Sequence, residues 1–137
     1  MAAYNIDRFL SAQEWSYKTA LEEIKLGRKI SHWMWFIFPQ IIGLGHSATA
    51  IFYAISGVDE AKAYLEDEIL GVRLREICSE LLKHSDKSAV SILGEIDALK
   101  LRSSMTLFDL IAPNDVFAKV LEAFFNGERC LKTMERV

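Results

Sequence analysis

The spacing of apolar residues constrains this chain more than any other feature. Between residues 7 and 26, Phe9, Ala12, Tyr17, Ala20, Leu21 and Ile24 recur at intervals of three and four. That repeat places them on one face of an α-helix. The same spacing returns over 67–83 with Ile69, Leu70, Leu74, Ile77, Cys78, Leu81 and Leu82, and again over 96–112. No run of alternating β-branched residues bounded by turns interrupts it, so strands are not expected. Caps and breakers cut the pattern into pieces. Gly27 ends the first helix, Ser31 is read as the N-cap of a short helix over 32–38, and Pro39 stops that helix. Residues 41–45 form a turn, Ser47 caps a helix reaching to about 55, and Gly57 precedes a helix over 58–66. Ser88 caps one turn of helix ending at Gly94. Pro113-Asn114 breaks the long helix, Asn114 or Asp115 caps 116–125, and Gly127 closes it. The last residues are a final helix or a loose tail. The expectation is an all-α fold: one compact domain over 1–137, with about six to eight helices packed orthogonally rather than up and down.

Length and composition bound the function. A chain of 137 residues with 51% hydrophobic and 26% charged residues can bury a core without a metal or disulfide. A net charge of −3 argues against a domain built to hold nucleic-acid polymers. The spacing of Cys78 and Cys130 fits no zinc pattern, and His32, His46 and His84 are far apart in sequence, so no metal and no cofactor are expected. Cys78 falls on an apolar helical face and reads as core. The longest apolar run, residues 33–44, is shorter than a membrane span and is interrupted by Pro39 and Gln40. Asp7 and Arg8 break the first apolar run, and no cleavage-site pattern follows. A cytoplasmic protein without membrane contact is expected.

Two stretches depart from ordinary core composition. Ser31-His32-Trp33-Met34-Trp35-Phe36-Ile37-Phe38-Pro39-Gln40 holds two of the three tryptophans. Helical spacing turns Trp33 and Trp35 in different directions, so that one can fill the core while the other lines a cleft. The plain reading is an aromatic core. The functional reading is a stacking platform for a flat ring, with His32 as donor or acid–base group. The second stretch, Lys100-Leu101-Arg102-Ser103-Ser104-Met105-Thr106-Leu107-Phe108, mixes cations and hydroxyls with apolar residues. Cations beside hydroxyls can hold a phosphate or carboxylate. The plain reading has Lys100 and Arg102 in solvent, Asp97 paired with Lys100, and the hydroxyls bonded back to their own helix. Gln13 and Gln40 are amides in apolar surroundings that need partners from the backbone or from a ligand. Gly43-Leu44-Gly45 reads as a tight turn. The nucleophile-elbow, Walker, zincin and dinucleotide fingerprints are all missing.

With these stretches the chain resembles the "domain of unknown function 1810" family of small bacterial proteins, some of whose members are mislabelled calpastatin. The resemblance covers nearly the whole chain. It rests on Ala12-Gln13, Tyr17, the block from Gly27 to Gln40, Gly43-Leu44-Gly45, Tyr53-Ala54-Ile55, Leu70-Gly71, and Lys100 to Phe108. It implies a compact, mostly helical domain and no established activity. Two positions depart from the family pattern: Asp67-Glu68 replaces a common His-Pro, and Cys130 stands where an Asp is frequent.

If the two stretches face one another, they form a site for a small anionic, ring-containing metabolite such as a nucleotide or an ADP-ribose derivative. Trp33 or Trp35 would stack on the ring. Lys100, Arg102, Ser103 and Ser104 would hold phosphate, Gln40 would contribute hydrogen bonds, and His32 would be the acid–base group. Hydrolysis in the manner of the small helical N-glycosidases extends that reading by analogy. The rival is a non-catalytic interaction module in which the aromatic block is core and an exposed apolar patch binds a protein.

Overall fold

The computed structural model describes residues 4–137. Nine helices lie among them: α1 (Asp7–Leu26), α2 (Met34–Ile37), α3 (Ala48–Phe52), α4 (Val58–Glu66), α5 (Leu70–Leu82), α6 (Ala89–Leu93), α7 (Glu95–Ile111), α8 (Val116–Phe125) and α9 (Leu131–Arg136). The count exceeds the expected range because the C-terminal residues also coil. The only strand-like pairing described is an isolated parallel bridge between Ile41 and Ile55. It ends α3 earlier than expected. The Ile55 amide donates to the Gln40 carbonyl at 2.8 Å, and the Ile42 amide donates to the Ile55 carbonyl at 2.8 Å.

Local chemistry accounts for most boundaries. Gly27 takes a left-handed conformation at φ 79°, and its amide closes the end of α1. Ser47 and Ser88 accept hydrogen bonds from the amides of Ala50 and Ser91, three residues on. Asp115, rather than Asn114, caps α8 by accepting from the Val116 amide. Asp67 stays outside α5, and its Oδ1 accepts from the amides of Ile69 and Leu70, both at 2.9 Å. Ser31 is not a cap. Trp33 occupies the position before α2, and no side chain caps that helix.

The helices pack around α7, which touches α4, α6, α8 and α9. Helix α1 lies on α5, and α5 lies on α8, so neighbours in space are often not neighbours in sequence, unlike a simple up-and-down bundle. Every residue from Ser103 to Asp109 is buried. A helix enclosed on all sides needs small side chains where neighbours approach, and its polar atoms must find local partners. Thr106 meets this need: its Oγ1 donates to the Arg102 carbonyl at 2.7 Å and accepts from the Cys130 amide at 3.0 Å. The hydroxyl-rich stretch is thus in part the signature of a central helix.

Candidate functional site

The aromatic block is divided between core and cleft. Trp33 is 1% exposed. Its Nε1 donates to Glu23 Oε1 at 2.9 Å. The Ile30 and Ser31 amides donate to the same oxygen, and the Ser31 hydroxyl donates to Oε2 at 2.6 Å. Burial alone would raise the Glu23 carboxyl, but these donors favour the charged form and hold it at about 2. Glu23 therefore anchors the start of the block to α1. Trp33 fills the core and only borders a smaller cavity, so of the two tryptophans it is Trp35 that faces the main one. The neighbouring Trp35 is only half-buried and lines a cavity.

That cavity has a volume of about 770 Å³ and lies between the two unusual stretches. Five residues singled out from the sequence meet there: Trp35, Gln40, Lys100, Arg102 and Ser103. Lys100 Nζ sits 4.1 Å from the Trp35 ring centroid and 3.1 Å from Asp97 Oδ1. Asp97 also takes the Lys29 ammonium at 2.9 Å. Burial would raise the Asp97 carboxyl, yet the two lysines keep it below its ordinary value. The Lys100 charge is thus fixed in place against an aromatic face. Gln40 is 6% exposed, and its Nε2 has no hydrogen-bond partner among the described residues. Arg102 Nε is likewise buried and unpartnered, while its Nη1 reaches only to 4.0 Å from Glu128.

The remaining expected residues lie elsewhere. Ser104 is fully buried inside the fold and is not among the residues lining the cavity, and its hydroxyl has no hydrogen-bond partner among the described residues. Its position on the enclosed helix α7 turns it inward. His32 is exposed and opens onto a second, neighbouring cavity of about 350 Å³ that also contains Lys29 and Asp97. Trp35 and Lys100 line both cavities and form the wall they share. Gln13 serves the fold: its Nε2 donates to the Phe36 carbonyl at 2.8 Å and lies 3.0 Å from the Tyr64 hydroxyl. Ser103 Oγ lies 3.1 Å from the Leu99 carbonyl, its expected back-bond, and 3.3 Å from Cys130 Sγ.

Four polar or ionisable residues of the main cavity were not among the expected site residues: Glu128, Arg129, Cys130 and Lys132. They come from the link into α9 and from its first turn, a stretch that reads as a final helix or a loose tail until the fold brings it onto α7. Two cations flanking a cysteine were the available signal. Arg129 is held there by an ion pair with the buried carboxylate of Asp109. Among the described residues, no group of three or more His, Cys, Asp or Glu side chains is arranged to hold a metal. No helix among the described residues is long and apolar enough to cross a membrane.

The fold and the cavity together define a small helical protein with a mostly apolar cavity, walled on one side by a tryptophan and carrying a few charged and polar groups. The chain belongs to the DUF1810 family, described as proteins of unknown function, whose model matches residues 3–137. It is also similar to a solved structure, that of a conserved hypothetical protein from Mycobacterium tuberculosis. The two are 41% identical and superpose with a TM-score of 0.94, over 96% of this chain and 95% of the other. None of the curated proteins matches it.

Proposed function

We propose that this protein is a cytoplasmic binding protein for a small anionic metabolite carrying a ring, of the nucleotide or ADP-ribose class. The observation that carries the reading is the convergence of an aromatic wall, a buried unpartnered carboxamide and several cations on one cavity of about 770 Å³. Such a pocket, mostly apolar with a few directed polar groups, is the usual form of a small-molecule site. Trp35 would pack against the ring. Lys100, Arg102, Ser103 and Lys132 would hold phosphate, since charge-assisted bonds are the strong ones. Gln40 would take an acceptor on the ligand. Hydrolysis of the N-glycosidase type has less support. His32 opens onto the neighbouring cavity, and the Asp97 carboxylate is engaged by two lysines.

One observation favours the interaction-module reading. Ile96, Leu99 and Leu131, which also line the cavity, are 72%, 59% and 73% exposed. A protein segment laid across that rim would cover them.

Calorimetry and thermal shift with ADP-ribose, AMP, adenosine and inorganic phosphate test the proposal. A phosphate-bearing ligand at 100 times its Kd should stabilise the fold by about 2.7 kcal/mol. Adenosine should bind more weakly, and Arg102→Ala and Trp35→Ala should each weaken binding of the phosphorylated ligand. If no phosphorylated ligand stabilises the protein, the metabolite reading fails and the interaction reading takes its place.

A further inference from the structure

We propose that Cys130 is a covalent modification site, a cavity-wall thiol that forms mixed disulfides with small anionic disulfides. The inference goes beyond metabolite binding, although it concerns the same cavity.

The two cysteines sit in opposite surroundings. Cys78 is fully buried, with its Sγ 3.7 Å from Met105 Sδ. Burial, and then the Asp115 charge, push its thiol far above the ordinary value. Cys130 is half-buried and faces the cavity at the start of α9. Burial alone would raise this thiol too. The Ser103 hydroxyl, 3.3 Å from its Sγ, and the amides at the start of α9 outweigh it and hold the thiol below its ordinary value. Arg102, Arg129 and Lys132 line the same space and favour both a thiolate and an anionic reagent.

A second observation points independently to an occupant. Gln40 is more than nine-tenths buried on the same cavity wall, and its Nε2 has no partner among the described residues. Gln40 stands between this cavity and a small enclosed space beside Gly43 and Gly45, and an acceptor entering from the cavity would satisfy its donor. The carboxylates and peptide carbonyls of a disulfide such as glutathione disulfide supply one, and their charge suits the cations.

The step balances without a further reagent. The Cys130 thiolate attacks one sulfur of the disulfide. A new sulfur–sulfur bond forms to Cys130 while the original one breaks. The second thiol leaves with the electron pair and takes a proton from water. Cys130 is oxidised, and the departing thiol is the reduced product. The adduct would then fill the cavity and exclude a metabolite.

The experiment exposes the full-length chain, reduced and freed of reductant, to glutathione disulfide at neutral pH. Intact mass and peptide mapping follow the product. The expected result is a single adduct on Cys130, formed roughly five- to tenfold faster than on the same chain unfolded in urea. Cys78 should stay unmodified in the folded chain, and Cys130→Ser should give no adduct. Lys132→Ala should slow glutathione disulfide by about twofold more than it slows the neutral reagent iodoacetamide, because both reagents lose thiolate but only the anionic one also loses a charge partner. Gln40→Leu should show the same selectivity. Three outcomes overturn the proposal: no adduct at Cys130, an adduct no faster than on the unfolded chain, or equal slowing of both reagents by Lys132→Ala. The readout needs no nucleotide. An adduct without nucleotide binding removes the metabolite reading alone, and nucleotide binding without an adduct removes this one alone.

Discussion

Trp33, tied to Glu23, and Trp35, two residues on, show how far single residues can differ within one short block. Glu23 is buried, yet its carboxylate accepts from two amides, a hydroxyl and the Trp33 indole. Its folded value of about 2 lies below the 4.5 of the unreacted side chain. A depressed carboxyl contributes stability that is complete above the unfolded value and is lost as pH falls from about 4.5 through about 2. Glu23→Gln should therefore destabilise the protein at pH 7. The gap between wild type and variant should narrow across that acid window in urea titrations; a gap that stays constant would show that the charge is not what matters. Trp33→Ala should cost roughly 3–5 kcal/mol, the range for a large buried ring. Trp35→Ala should cost less stability and more ligand affinity, because its ring faces the cavity. Equal losses of stability in the two variants would contradict the division between core and cleft.

At the scale of elements, α4 and α5 meet where no side chain fits. A Cβ built on Gly71 would lie 2.1 Å from the Leu65 carbonyl oxygen, a backbone atom that cannot turn aside. Gly71→Ala should force the two helices apart and cost about 1–3 kcal/mol or more, by analogy with overpacked cores. Chemical denaturation measures it directly, and a neutral result would mean that the start of α5 can shift freely. The caps offer a milder comparison. Ser47→Ala and Ser88→Ala each remove one bond to a helix amide and should cost about 0.5–2 kcal/mol.

The whole molecule brings positive charge to one cavity of a chain whose net charge is −3. Arg102, Arg129 and Lys132 meet there because α9 folds back onto α7. Their charges are partly exposed, so salt should screen them. Affinity for a phosphorylated ligand should fall several-fold as ionic strength rises from about 0.05 to 0.5 M. Lys132→Ala should weaken that affinity while changing stability by no more than about 0.5 kcal/mol, as is usual at exposed positions. A salt-independent affinity would mean that phosphate is not held by these cations.

The sequence by itself determined the helical class and most helix ends. Periodicity and capping are local physics: a face repeats every 3.6 residues, Gly27 can turn left-handed, and the Ser47 and Ser88 hydroxyls reach amides three residues away. It also marked the two stretches that face the cavity, through residue types that an ordinary core does not use. It could not assign Trp33 against Trp35, or Ser103 against Ser104, because which of two nearby side chains is covered is decided only when other helices pack over one side. It mistook Ser31 for a cap because Glu23, eight residues earlier, comes within reach only once α1 and the block are packed together. It passed over Arg129, Cys130 and Lys132 for the same reason. A short C-terminal helix has little pattern of its own, and its place on α7 is decided by long-range contact: the Cys130 amide donates to Thr106, 24 residues away.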